Sequence, residues 1–278
     1  MKNPKCDCPV ISIRLLANFV LKYVTRIRYY EKEKRYSQPY PDVVLTIATP
    51  YIKQCKEDDP NLAECIIQAI DHLRPYLRNG IPEIGLPKIE PFKIDFLSLA
   101  LTNGPNGYKI TLRDIDAFGA SNFSINKIKL KNGNTPFEVR IKIPSLTLQA
   151  KYTSTGVLIV IPANGNGTFY ADMGDVNVVA KGMMSNFFKN DEEYLRLDKL
   201  DIDLNIKDVK MQVRKIFNNN RILIEATNLF LRTNGHEVLE VMMPQLRIKL
   251  VAIFTGIINR LLSNVPSRQF YVKSNSLN

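Results

Sequence analysis

A run of apolar residues near the carboxyl end limits the folds open to this chain. Between Leu250 and Ser263 only Arg260 carries a charge. Leu250, Val251, Ile253, Phe254, Ile257, Ile258, Leu261 and Leu262 spread round most of a helix circumference, whereas a surface helix keeps a polar face. At about 14 residues the run is too short for the roughly 20 apolar residues of a bilayer span. Upstream, Glu240, Arg247, Lys249 and the helix-kinking Pro244 also count against a span. Other parts of the chain must therefore cover this segment. A helix wrapped by a curved sheet leaves an apolar seam between the two layers, and such a seam can hold a lipid.

At 278 residues the chain suits one large domain or two small ones. Its 45% apolar and 23% charged residues are those of a soluble globular protein. The formal net charge of +11 invites a nucleic-acid or membrane reading. Residues 1–40, however, hold nine Lys or Arg against three Asp or Glu, so this arm alone carries +6. The remainder is mildly basic and lacks a basic stripe with interleaved aromatics, which argues against a nucleic-acid partner.

Within the arm, Leu16, Phe19, Val20, Tyr23, Val24 and Ile27 repeat at helical spacing among Arg14, Lys22, Arg26 and Arg28, a basic amphipathic pattern. Such a helix can lie on an anionic membrane or act as a presequence. The plainer reading is a poorly packed arm or a misassigned start. A secretory signal needs an unbroken apolar core, and Arg14 and Lys22 interrupt the stretch from Val10 to Val24. Glu31 to Pro41 reads as a solvated linker. Val43 to Thr49 is a short apolar run, either a first strand or the remnant of a signal.

Cys55 and Cys65 are spaced for a local disulfide, and equally for two reduced thiols. Cys6 and Cys8 have neither His72 nor His236 nearby and no zinc-like spacing, so no metal site is expected. Sequons at Asn122 and Asn166 are compatible with secretion.

Asp59-Pro60 predicts a helix start, with Leu62, Ile66, Ile70 and Leu73 as its apolar stripe and Pro75 as its limit. From Phe92 the period changes to two. Phe92, Ile94 and Phe96 share one face, then Tyr108, Ile110 and Leu112, and later Ile128 and Leu130. Phe137 to Ala150 continues the pattern, with Pro144 as a bulge or bend. Phe169, Ala171 and Met173, then Val176 and Val178, then Leu200 to Ile206 and Val209 to Val213 complete it. Asn-Gly pairs at 103–104, 106–107, 132–133, 164–165 and 166–167 supply turns. Helical period returns at Ile222, Ala226, Leu229 and Phe230, with a break or bend at Asn234-Gly235 before the long apolar helix. A single-faced sheet with two helices must use them as its core.

Three collinear stretches carry a family resemblance. Cys55 to Ile66 (CKEDDPNLAECI), Ile115 to Leu130 (IDAFGASNFSINKIKL) and Val238 to Phe270 (VLEVMMPQLRIKLVAIFTGIINRLLSNVPSRQF) are similar to signatures of the insect takeout / juvenile-hormone-binding protein family. The resemblance spans residues 43–272, leaving 1–42 as a basic arm and linker and 273–278 as a tail. It implies an α+β fold: a long C-terminal helix wrapped by a highly curved antiparallel β-sheet, similar to one half of the tubular lipid-binding fold, with an internal apolar tunnel. It pairs Cys55 with Cys65. It implies a secreted, extracellular carrier of a small hydrophobic ligand, either a terpenoid, a fatty acid or a related lipid. Because no cysteine follows Cys65, the chain resembles the takeout branch, which is associated with circadian rhythm and for which juvenile hormone itself is in doubt.

No Gly-x-Ser-x-Gly elbow, phosphate-binding loop or His-Glu-x-x-His occurs, and the polar residues converge on no chemistry. An enzyme is not expected, nor a cofactor. The expected tunnel lining takes Met242, Met243, Leu246, Leu250, Phe254, Ile257, Ile258 and Leu261 from the long helix. From the sheet it takes Phe96, Phe169, Met173, Met183, Met184, Phe187 and Phe188. Methionine adapts to ligands of varied shape, although plain core packing is the ordinary alternative for each of these residues. The competing functional reading is a membrane-surface lipid-transfer or lipid-sensing protein docked through the arm, with transient membrane contact.

Overall fold

Three strands of unusual length set the shape of this protein. The computed structural model describes residues 50–100, 102, 107–131, 135–158, 161–162, 164–214 and 221–272. The basic arm, the linker, Val43 to Thr49 and the tail lie outside these residues, as do the Asn-Gly pairs at 103–104 and 132–133 and Asn106 of the pair at 106–107. The described residues all fall in one compact unit. Its elements run β1 (Cys55–Lys56), α1 (Leu62–Leu77), β2 (Phe92–Ala100), β3 (Lys109–Phe118), β4 (Ser124–Leu130), β5 (Phe137–Thr155), β6 (Val157–Leu158), β7 (Ile161–Pro162), β8 (Gly165–Lys189), β9 (Glu192–Arg214), α2 (Arg221–Thr233), α3 (Gly235–Asn264), α4 (Ser267–Phe270) and β10 (Tyr271–Val272). The main sheet is antiparallel in the order β2-β3-β5-β8-β9, with β4 paired to the first half of β5.

Strands β5, β8 and β9 are 19, 25 and 23 residues long. Strand twist accumulates along such lengths, so the sheet must coil. It also creases. Ile143 pairs with Val176 and Ser145 with Gly174, but Pro144, which has no N–H to give, leaves Asp175 between them unpaired. Asp175 takes φ +49°, a left-handed conformation that a short polar side chain tolerates. The buried face of β8 consequently changes parity, from Phe169, Ala171 and Met173 to Val176. The two patterns read from the sequence are therefore one creased strand, and Pro144 marks the bend as expected.

A second parity change corrects the reading of β2. Asp114, also at φ +49°, lies in a register shift between β3 and β5, and buried Leu112 is followed by buried Ile115. In paired β2 the inward residues move from Phe92 to Leu97 and Leu99. Phe96 is thereby turned outward and is 57% exposed, with the Arg113 guanidinium 6.0 Å from its ring centroid. The alternation Phe92, Ile94, Phe96 does not survive this bulge. Asn166-Gly167 is likewise no turn, because it lies within β8 opposite Thr153 and Tyr152.

Helix α1 begins two residues after Pro60, where Asp59 Oδ1 accepts the Asn61 N–H at 2.8 Å. It passes through Pro75 and ends at Leu77, so that proline sits in the last turn and does not stop the helix. Gly235 separates α2 from α3, as the Asn-Gly pair suggested. The apolar run seen in the sequence is the second half of the 30-residue α3, which continues through Pro244. Helix α3 is long and apolar enough to cross a membrane by composition, yet here it packs on β9 and β2. The wrapping is one-sided, since Val241 and Ile248 remain 54% and 68% exposed.

The principal core joins Leu97, Leu99, Leu112, Ile115, Tyr152 and Phe169 to Leu239 and Met242 of α3. A smaller cluster of Ile81, Ile84 and Val265, with Leu73, Leu261 and Phe270 against it, fixes the end of α3 to the loop after α1.

Candidate ligand cavity

A cavity of about 820 Å³ opens at the end of the fold where the two termini of the described chain meet. This volume lies within the roughly 300–1,000 Å³ of small-molecule sites. Its apolar wall begins with Ile66 and Ile70, one turn apart on α1 and so on the same helix face. Ile128 and Leu130 of β4 and Phe137 and Val139 of β5 face it by the period of two. Met184 of β8 and Leu195 of β9 complete the wall.

Across the cavity runs a strap. Parallel pairing of β1 with β10 places Cys55 opposite Tyr271 and Lys56 opposite Val272. The disulfide from Cys55 to Cys65 ties the strap to α1. Gln54 Nε2 donates to the Arg268 carbonyl at 2.9 Å, joining the strap to α4. Tyr271 lines the cavity; burial first, and the nearby Glu57 carboxylate second, push its hydroxyl above the usual tyrosine range.

The rim is polar. Asn186 Nδ2 and Ser267 Oγ donate to the two carboxylate oxygens of Glu193 at 2.7 and 3.3 Å. Arg268 donates to Glu192 at 2.6 Å. Glu57 and Asp191 are also at the rim.

Among the residues read from the sequence as tunnel lining, only Met184 lines this cavity. Phe169, Met173 and Met242 are buried, and Met243 and Leu246 pack against the principal core. Phe254 stacks on Phe92 with ring centroids 5.9 Å apart, and Leu261 packs on the smaller cluster. Leu250, Ile257 and Ile258 are half-buried. Phe187 stacks on Tyr194 at 5.7 Å, away from the cavity. Met183 and Phe188 are 49% and 75% exposed, which corrects their expected inward placement. A register shift between Met183 and Met184 aims only Met184 inward, and Phe188 lies beside the hairpin tip.

The lining residues of α1, β4 and β5 stand out in the sequence as apolar faces, a pattern that core packing produces equally well. The pairing of a helix stripe with an adjacent cysteine was the available clue to their position. His72 is exposed, with a ring nitrogen 3.0 Å from the Pro50 carbonyl, and His236 is exposed at the start of α3. Among the described residues no group of three or more His, Cys, Asp or Glu side chains is placed to hold a metal.

A creased antiparallel sheet, a long helix across it and an apolar cavity define the takeout class of fold. Takeout 1 of Epiphyas postvittana superimposes with a TM-score of 0.67 at 18% identity, covering 79% of this chain and 99% of that one. The chain belongs to the haemolymph juvenile hormone binding protein (JHBP) family, whose sequence model matches residues 43–272. It is 22% identical over 232 residues to the circadian clock-controlled protein daywake of Drosophila melanogaster, covering 80% of this chain and 87% of daywake. It is also 22% identical over 149 residues to a putative beta-carotene-binding protein of Schistocerca gregaria, covering 52% and 58% of the two chains. The family is one of carriers for hydrophobic ligands.

Proposed function

We propose that this protein is a non-enzymatic, secreted carrier holding one small hydrophobic molecule of the terpenoid or lipid type in the cavity between α1, β4, β5 and the strap. The observation that carries this reading is the apolar wall of a cavity of about 820 Å³ in a family of carriers. Burial of the ligand chain supplies the affinity, at about 0.8 kcal/mol per CH₂ group. Leu250, Phe254, Ile257, Ile258 and Leu261 of α3 are half-buried and offer further apolar surface beside the core. Secretion agrees with the Cys55–Cys65 bridge, which an oxidising compartment preserves, and with exposed sequon asparagines 122 and 166. The carrier domain spans residues 43–272, with the arm and the tail as appendages.

The test is uptake of the neutral fluorophore N-phenyl-1-naphthylamine by the full chain. Saturable uptake at one molecule per chain, abolished by Ile70→Arg in a protein that keeps its circular dichroism, supports the reading. Absence of uptake by the unmodified chain contradicts it.

A further inference from the structure

The mouth of the cavity is lopsided in charge. Glu57, Asp191, Glu192 and Glu193 face it, and Arg268 is the only cation among the lining residues. That cation is already committed, since its guanidinium donates to Glu192 at 2.6 Å. Glu193 accepts hydrogen bonds from Asn186 and Ser267. Among the described residues neither Glu57 nor Asp191 enters an ion pair, and both are exposed at the rim. Lys189, close by in sequence, is not among the lining residues and has its ammonium 5.8 Å from the Tyr194 ring centroid.

We infer that the cavity selects its ligand by head group: it takes an apolar chain ending in a hydroxyl or an amine and rejects the same chain ending in a carboxylate. This rests on the carrier reading above and narrows it. A chain seated against Ile66, Ile70 and Val139 leaves its head among the rim carboxylates. A hydroxyl or ammonium head donates a hydrogen bond to Glu57 or Asp191. A carboxylate head meets the Arg268 guanidinium only in competition with Glu192, and the other rim carboxylates repel it at short range, each reducing affinity by several-fold to about tenfold.

The experiment displaces N-phenyl-1-naphthylamine from the full chain at neutral pH and low salt. The competitors are dodecanol, dodecylamine and laurate, which share one chain length. Dodecanol and dodecylamine should displace the probe at concentrations at least about tenfold below that of laurate. In a Glu57→Gln/Asp191→Asn variant the gap should close to within about threefold, and raising the salt to about 0.5 M should narrow it in the unmodified chain by screening. Equal displacement by laurate overturns the head-group rule and leaves the carrier reading standing. A gap unmoved by both the double variant and salt overturns the electrostatic cause. Failure of the chain to take up the probe at all overturns the carrier reading, and the rule with it.

Discussion

Gln245 of α3 holds the backbone of Ala100 on the sheet edge with both ends of its amide: Oε1 accepts the Ala100 N–H at 2.7 Å and Nε2 donates to the Ala100 carbonyl at 2.6 Å. Asn259 does the same to Leu197 at 2.7 and 3.0 Å, and Asn228 of α2 to Val213 at 2.8 and 3.1 Å. Ala100 lies on β2 and the other two on β9, the two edges of the open sheet. Edge strands carry unpaired N–H and C=O groups that invite aggregation. Here helix amides satisfy those of Ala100, Leu197 and Val213, and α3 is pinned to both edges at once, with Arg247 paired to Asp203 of β9 as a further tie. Gln245→Ala and Asn259→Ala should each lower stability by about 1–3 kcal/mol, the cost of leaving backbone groups unsatisfied. Urea denaturation of the single variants measures this; midpoints unchanged from the parent would mean the amides close nothing.

Glu90 plays a comparable part at the turn after β3. Its carboxylate accepts the Gly119 N–H at 2.9 Å and both the N–H and hydroxyl of Ser121, at 3.3 and 2.9 Å. Burial alone would push Glu90 up; those donors, with Arg78 nearby, outweigh it and hold the carboxyl below its ordinary value. A depressed folded pKa adds stability above the unfolded value of about 4.3, and this is lost as pH falls through the lower folded pKa. Glu90→Gln should therefore be destabilised by about 1–3 kcal/mol at pH 7. Its deficit against the parent should shrink below about pH 4. A deficit independent of pH would show that charge is not what Glu90 supplies.

Gly119 itself admits no side chain. Its φ is +90°, and a Cβ there would lie 2.4 Å from the Ser145 carbonyl oxygen. Where a glycine is unstrained its replacement by alanine stabilises by about 0.4–1 kcal/mol; Gly119→Ala should instead destabilise by more than that, read as a fall in the thermal midpoint.

The Cys55–Cys65 bridge secures the strap over the cavity. Replacing both cysteines by serine should remove about 2–4 kcal/mol of stability and weaken probe uptake beyond what global stability explains. Uptake unchanged in a folded double variant would separate the strap from ligand retention.

The apolar stripe of α1, the helix break at Asn234-Gly235 and the bend at Pro144 could all be read from local pattern, because each depends on neighbours in the chain. Phe96 could not. Its outward turn follows from a bulge at Asp114 on a paired strand, and an aspartate in a polar position gives no hint of a positive φ. The cavity was hidden for a different reason. Ile70, Val139 and Leu195 obey the same periodicity as core residues, and only the assembly of α1, β4, β5 and β10 decides whether their neighbour is a side chain or a void. The cysteine pairing came from family likeness, since spacing alone allowed two thiols equally well.

The carrier claim meets its most direct test in native mass spectrometry of the protein produced by secretion, followed by organic extraction. One apolar molecule per chain, released by solvent and lacking a carboxylate, is the predicted result. An empty protein that also fails to take up N-phenyl-1-naphthylamine would contradict it, and would leave the cavity beneath Ile66 and Ile70 as a packing feature without a ligand.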